Sequence, residues 1–299
     1  MLLLLPTTPR ASKSLLFAEI KKDSLLANVS FPRIIFVGGS NLSFGLNSQT
    51  IKDSLNINPI NTAIHVGVGI KYMLENTMQY AKKGDIIVIV PEYLLFYRDW
   101  SFGSEELLRT IFDCNKKNLR LLNFKQIYKC FPYTGKLILS KFDRKEYFNV
   151  KENDMYSVNS FNKYGDVDAH WYLENRHNEF KPYETIDITT YNPKVMTEMK
   201  HIVNKLQEKG CIVLITYPCY QETSFNNTKE AIKKVEEEYQ TNGFTVLGTP
   251  QKYMMPDSLM FNSPYHVNKQ GVERRTKLLI EDLKIALNNI DSLGILHSN

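Results

Sequence analysis

Five consecutive apolar residues, Ile86-Ile87-Val88-Ile89-Val90, held between Gly84-Asp85 and Pro91, constrain the fold of this 299-residue chain more than any other stretch. A strand with one wet face alternates apolar and polar side chains. An unbroken β-branched run is buried on both faces, as in the middle of a parallel sheet. Arg33–Val37 (RIIFV), closed by Gly38-Gly39, and Cys211–Tyr217 (CIVLITY), opened by Gly210, repeat the pattern, and Pro59–Val66 and Phe244–Leu247 read as two further strands. Helical spacing predicts helices near Ser14–Leu26, from Ser48 through Ile51 and Leu55, over Tyr72–Lys83, Pro193–Lys209 and Thr228–Gln240, and in a long final helix capped by Asn268. Strands alternating with helices pair in parallel through right-handed crossovers, which predicts an α/β fold with helices on both faces of an open sheet.

Residues 1–30 read as an N-terminal arm and 31–299 as one α/β domain, broken by an insertion at about 115–182 that does not keep the rhythm. With 43% apolar and 23% charged residues the chain can bury a core. No span reaches the roughly 20 apolar residues that cross a bilayer. A net charge of +5 is too small to imply nucleic acid. Cys114, Cys130, Cys211 and Cys219 include no C-x-x-C pair, which argues against zinc ribbons, iron–sulfur ligation and thioredoxin-type chemistry and leaves disulfides open. No metal or cofactor is expected, since phosphate-loop and dinucleotide glycine motifs are both absent.

Two features point toward a membrane. Leu2–Leu5 followed by Pro6 reads as the clipped end of a longer anchor with Pro6 at the membrane exit; the plainer alternative is a frayed terminus. Residues 115–145 carry nine Lys or Arg against Asp143, interleaved with Leu119, Leu122, Ile127 and Phe131. Such a stretch can lie on an anionic surface, while the ordinary expectation is a solvated helix face with its apolar side buried.

In open α/β sheets ligands bind beyond the carboxyl ends of the strands. The loops Gly38–Gly45, Val66–Gly69, Pro91–Tyr93, Pro218–Thr223 and Met255–His266 should therefore share one rim. In the first, Gly38-Gly39-Ser40-Asn41 turns sharply and leaves Ser40 exposed as a candidate nucleophile, its own N–H available to a developing oxyanion. Its candidate base is His266, in the loop before the last helix. Of the other histidines (His65, His170, His177, His201, His297), none has metal-ligand spacing, and only His65 and His170 are rim candidates.

The Gly39-Ser40-Asn41 turn, the glycine-bearing loop after the second strand and His266 before the final helix together resemble the SGNH (GDSL-type) hydrolase superfamily. The nearer likeness is to its envelope branch, which transfers or removes acyl groups on exported polysaccharides and is often membrane-anchored. Ile34–Gly45, Asn61–Leu74, Gly84–Phe96, Phe161–Asp166 and Asp257–Gly271 carry that likeness. It implies a three-layer α/β/α, flavodoxin-like sheet, Ser40 as nucleophile and His266 as base. It also implies oxyanion donors from the serine N–H, from Gly67 (or Ala63 or Gly69), and from an asparagine after the third strand. Two positions depart from the pattern. The third-strand loop offers Glu92 instead of asparagine, which must be protonated, turned away or otherwise employed. Asn262 stands where the acid should precede the histidine, with Asp257 further upstream.

The leading expectation is thus a serine-dependent ester hydrolase or O-acyltransferase on acylated envelope polysaccharide, placed at the outer face of the cytoplasmic membrane beside a membrane acyltransferase partner. The alternative is an inactive SGNH-like domain that binds glycan or serves as scaffold in an export machine. A nucleotide-binding flavodoxin-like module shares the topology and lacks the phosphate loop.

Overall fold

The computed structural model describes residues 2–292, and the side chains of all of these except 99, 100, 291 and 292. The strands are β1 (Arg33–Gly38), β2 (Asn58–Asn61), β3 (Ile86–Val90), β4 (Ile212–Thr216), β5 (Tyr220–Gln221), β6 (Val246–Leu247), β7 (Met254–Met255), β8 (Met260–Ser263) and β9 (His266–Val267). Five of them form one parallel sheet in the order β2-β1-β3-β4-β6. Every residue of β3 is buried, and Ile35 of β1 sits between Ile60 and Ile87 in register. The both-face burial that its sequence requires is what centres β3.

The helices are α1 (Pro9–Lys13), α2 (Ala18–Asn28), α3 (Ser40–Ser43), α4 (Ser48–Leu55), α5 (Ile70–Tyr80), α6 (Glu105–Arg109), α7 (Phe124–Cys130), α8 (Thr134–Ser140), α9 (Pro193–Glu208), α10 (Glu222–Asn227), α11 (Lys229–Thr241) and α12 (Lys269–Ser292). One layer joins α2 to α5 and α5 to α9; α4 and α12 pack together on the other side of the sheet. The result is a three-layer α/β/α arrangement.

Buried charge ties the strands' amino ends. Arg33, fully buried, bonds Asp85 in a bidentate pair (2.5 and 2.8 Å) and donates to the carbonyls of Leu26 and Tyr80. Its donors are thereby shared among α2, α5 and the turn before β3, as an unhydrated guanidinium requires.

Two local outcomes differ from the sequence reading. The helix expected to be capped by Ser48 is capped by Asn47, whose side chain accepts from Thr50 N–H; Ser48 Oγ instead donates to Asp166 at 2.7 Å. The second strand ends at Asn61, not Val66, and on its outer edge Asn61 N–H donates to Tyr164 O of the insertion. The insertion is stitched to the sheet there. Asp166, fully buried, accepts from Ser48 N–H, Ser48 Oγ and Asn61 Nδ2. Met155, Phe161 and Val167 form a small apolar cluster with Ala18, Phe44 and Phe261.

From the N-terminal region, Lys22 of α2 reaches the same place. Its buried ammonium donates to the carbonyls of Asn61, Ala63 and Gly165 and lies over the Phe161 ring. Burial pulls its pKa down to about 7.

Candidate active site

Ser40 begins the short α3 at the carboxyl end of β1, and both it and His266 are buried with only a small edge exposed. The turn works because Gly39 has no side chain: a Cβ there would lie 2.7 Å from Glu92 Oε1 and 3.1 Å from Val66 Cα. Glu92, at the end of β3, fills that space. Its Oε1 accepts from Asn41 N–H (3.1 Å) and Asn41 Nδ2 (3.2 Å). Burial pushes the Glu92 carboxyl above its ordinary range, and those hydrogen bonds only partly offset it. Glu92 is therefore neither turned away nor solvated; it is tied to the Ser40 turn through Asn41.

His266 opens β9, directly after the turn that pairs Ser263 with His266. Ser263 Oγ accepts the N–H of both Tyr265 and His266, which fixes that turn. The His266 ring stacks on Phe44, with centroids 4.3 Å apart and planes 11° apart. Phe44 follows Ser40 by one helical turn and donates its N–H to Ser40 O at 2.9 Å, so α3 presents both residues at the same edge. Among the described residues no hydrogen bond joins Ser40 to the His266 ring.

The imidazole is oriented by an amide. Nδ1 of His266 lies 2.8 Å from Asn262 Oδ1, and Asn262 Nδ2 donates to Tyr156 Oη at 2.7 Å with Met155 Sδ at 3.9 Å. With the amide nitrogen committed to Tyr156 and the thioether, the carbonyl oxygen faces the ring. His266 then carries its proton on Nδ1 and leaves Nε2 as an acceptor. Burial pushes its pKa down to about 3, with nearby His170 and His65 adding to the effect, so the ring is neutral throughout the physiological range.

The structure does not bring Asp257 into this chain. Its carboxylate accepts from Thr223 N–H (3.1 Å) and Thr223 Oγ1 (2.6 Å). His170 packs between Phe44 and Phe261, with Nε2 3.1 Å from Val267 O and its pKa lowered by burial to about 4.

The three backbone donors considered in the loop after the second strand are all engaged. Gly67 N–H donates to His65 Nδ1 (3.1 Å), Ala63 N–H to Asn61 Oδ1 (3.1 Å) and Gly69 N–H to Val66 O (3.0 Å). Glu106 and Ser104 press on the Gly67 α-carbon so closely that a side chain there would strike them. His65, whose pKa burial lowers, thus guards Gly67 as an Nε2–H tautomer.

On the far side of Glu92 stands an aromatic wall. Tyr220 and Tyr265 stack with centroids 4.7 Å apart, Tyr93 meets Tyr220 edge-on, and Tyr183 packs on both Tyr220 and Tyr265. Among the described residues no group of three His, Cys, Asp or Glu is placed to hold a metal, and the four cysteines are free thiols. His297 lies outside the described residues.

Tyr156, Glu106 and the tyrosine wall were not legible as site residues, and His65 was legible only as a rim candidate. Tyr156 and Tyr183 lie in or beside the insertion, where no periodicity or motif assigns them to the rim. No protein-family model matches this chain, and no curated protein matches it.

Proposed function

We propose that this protein is a serine-dependent acyl-transfer enzyme of SGNH type. In this reading it hydrolyses or transfers O-acyl groups on cell-envelope or exported polysaccharide, beside a membrane acyltransferase at the outer face of the cytoplasmic membrane. The observation that carries the reading is the Tyr156–Asn262–His266 chain, which leaves His266 Nε2 unprotonated and the ring fixed on Phe44, one turn from Ser40. A His-Asn pair performs the orienting role of a His-Asp pair when the amide oxygen faces the ring.

In the proposed reaction Ser40 Oγ attacks the ester carbonyl carbon while its proton passes to His266 Nε2. Collapse of the tetrahedral intermediate expels the alcohol, which takes that proton and leaves acyl-Ser40. Water or a sugar hydroxyl then gives its proton to His266 and attacks the acyl carbon, and the departing Ser40 oxygen takes that proton back from His266. A protonated Glu92 stands where the superfamily places an asparagine and donates its O–H to the oxyanion; a carboxylic acid kept neutral by burial can serve in this way. The carbohydrate class rests on the resemblance alone, since Tyr220 and Tyr265 are buried in the core.

One observation favours a second reading, a non-catalytic glycan-binding scaffold: Gly67 N–H, the expected oxyanion donor, is held by His65. Fluorophosphonate labelling followed by intact-mass and peptide analysis separates the two. The catalytic reading expects a single adduct on Ser40, lost in Ser40→Ala and strongly slowed in His266→Gln. Absence of any adduct, together with no turnover of aryl acetate, leaves the scaffold.

A further inference from the structure

The insertion turns its apolar side outward. Phe124, Ile127, Tyr128 and Phe131 recur at helical spacing along α7 and the turn after it, which is the stripe an amphipathic helix ordinarily buries. Here Phe124 is 91% and Tyr128 77% exposed, while Gln126 and Cys130 face inward. The start of the helix fixes this register: Asn123 and Gln126 form a reciprocal capping box that consumes Gln126 Oε1 under the protein side of α7. The pattern continues into α8, where Leu137 is buried and Leu139 is 72% exposed, and on to exposed Phe142 and Phe148. The Leu2–Leu4 turn packs on α8 with Leu2 and Leu4 exposed, and Lys116 Nζ holds it by donating to Leu4 O at 3.1 Å. Clustered exposure on this scale marks an interaction surface.

We propose that this face, built from α7, α8, the segment to Phe148 and the Leu2–Leu4 turn, docks on an anionic lipid bilayer. Charge selects the occupant. Lys117, Arg144 and Lys145 are exposed, Arg144 over the Phe148 ring, and of the two acids between 115 and 148, Asp143 and Glu146, the second is engaged by Arg10 and Thr8. Two copies meeting through this face in a two-fold dimer would set basic against basic, so self-association is disfavoured. Aromatic rings and leucines enter the interfacial zone while lysines and arginines meet the headgroups, which is the chemistry of an interfacially seated helix. Pairing elsewhere consumes other lysines: Lys141 is buried against Asp113, and Lys136 bonds Glu105 at 2.6 Å. The proposal is independent of the Ser40 chemistry.

The test is flotation of the whole chain with phosphatidylglycerol–phosphatidylcholine vesicles at about 3:7, compared with phosphatidylcholine alone, at low and high salt. Wild type and Ser40→Ala should float equally with the anionic vesicles. Both should bind about tenfold more weakly to neutral ones or at high salt. The exposed triple variant Phe124→Ser/Tyr128→Ser/Phe131→Ser should lose about tenfold in partitioning with its thermal unfolding unchanged. Lys117→Glu/Arg144→Glu/Lys145→Glu should abolish the salt-sensitive part. Equal flotation of the triple variant and wild type, or no flotation of either, overturns the proposal. So does a vesicle-free dimer that the triple variant dissolves, which would make the face a self-association surface.

Discussion

Tyr156 controls a proton it does not touch. By accepting from Asn262 Nδ2 it leaves Oδ1 toward His266, so the proton sits on Nδ1 and the lone pair on Nε2. In Tyr156→Phe that acceptor is gone, and the amide can reverse and donate to Nδ1 instead. Nitrogen-15 shifts of the His266 ring should then report a growing Nε2–H population, and aryl-ester turnover should fall by about tenfold or more, since forcing the wrong histidine tautomer in a serine protease costs about 10⁴. Asn262→Asp in the same background should restore the Nδ1–H form, because a carboxylate has no donor to present. An unchanged tautomer in Tyr156→Phe would remove Tyr156 from this role. Glu92 yields a second test at this scale. Its protonated form is the proposed donor and its pKa is raised, so activity should be present below the folded pKa and fall as pH rises through it. Glu92→Gln donates at every pH and should flatten that alkaline limb in a kcat/KM profile, whereas a merely structural Glu92 would leave the limb in place.

The elements meet through buried polar clusters as well as apolar ones, and the joint between α2 and α5 shows the consequence. Glu19 of α2 accepts from Tyr72 Oη (3.0 Å) and Asn76 Nδ2 (2.9 Å) of α5, and Asn76 Nδ2 also reaches Asp23 at 2.7 Å. Burial, with Asp23 close by, pushes the Glu19 pKa up to about 8. Because the folded value lies above the unfolded one, Glu19 favours the fold at low pH and loses that contribution as pH rises from about 4.5 to about 8. Glu19→Gln keeps the acceptor oxygen and removes the titration. Its melting temperature should match wild type near pH 4.5 and exceed it near pH 8, read by calorimetry across the series. A constant difference between the two proteins at all pH values would refute the assignment.

At the scale of the molecule, Asp166 is the hinge pin between the insertion and the sheet. Removing its carboxylate in Asp166→Ala leaves Ser48 N–H, Ser48 Oγ and Asn61 Nδ2 without their buried acceptor. A loss of about 2–4 kcal/mol is expected from denaturant unfolding, together with faster protease nicking within 140–180. Stability and cleavage rate equal to wild type would show that the Met155–Phe161–Val167 cluster holds the insertion unaided.

The same scale separates what was legible in the residues from what was not. The strands, the parallel sheet and the helices on both faces follow from local rules: β3 is apolar at every position, glycines close the strands, and α9 and α11 lie within a residue or two of their expected bounds. Ser40 and His266 were legible as candidates because one follows the glycine-closed first strand and the other precedes the last helix. Contacts more than about 40 residues apart obey no local rule, and those decided the rest. Long-range packing stitched the edge of β2 to the insertion at Asn61, moved the cap from Ser48 to Asn47, and seated the N-terminal Lys22 among carbonyls of β2 and the insertion. It also oriented Asn262 through Tyr156, 106 positions away. The basic stretch shows the division most clearly. Its amphipathic spacing was plain in the chain, but which side meets water depends on what the rest of the protein offers to cover it, and for α7 it is the apolar side that is left outside.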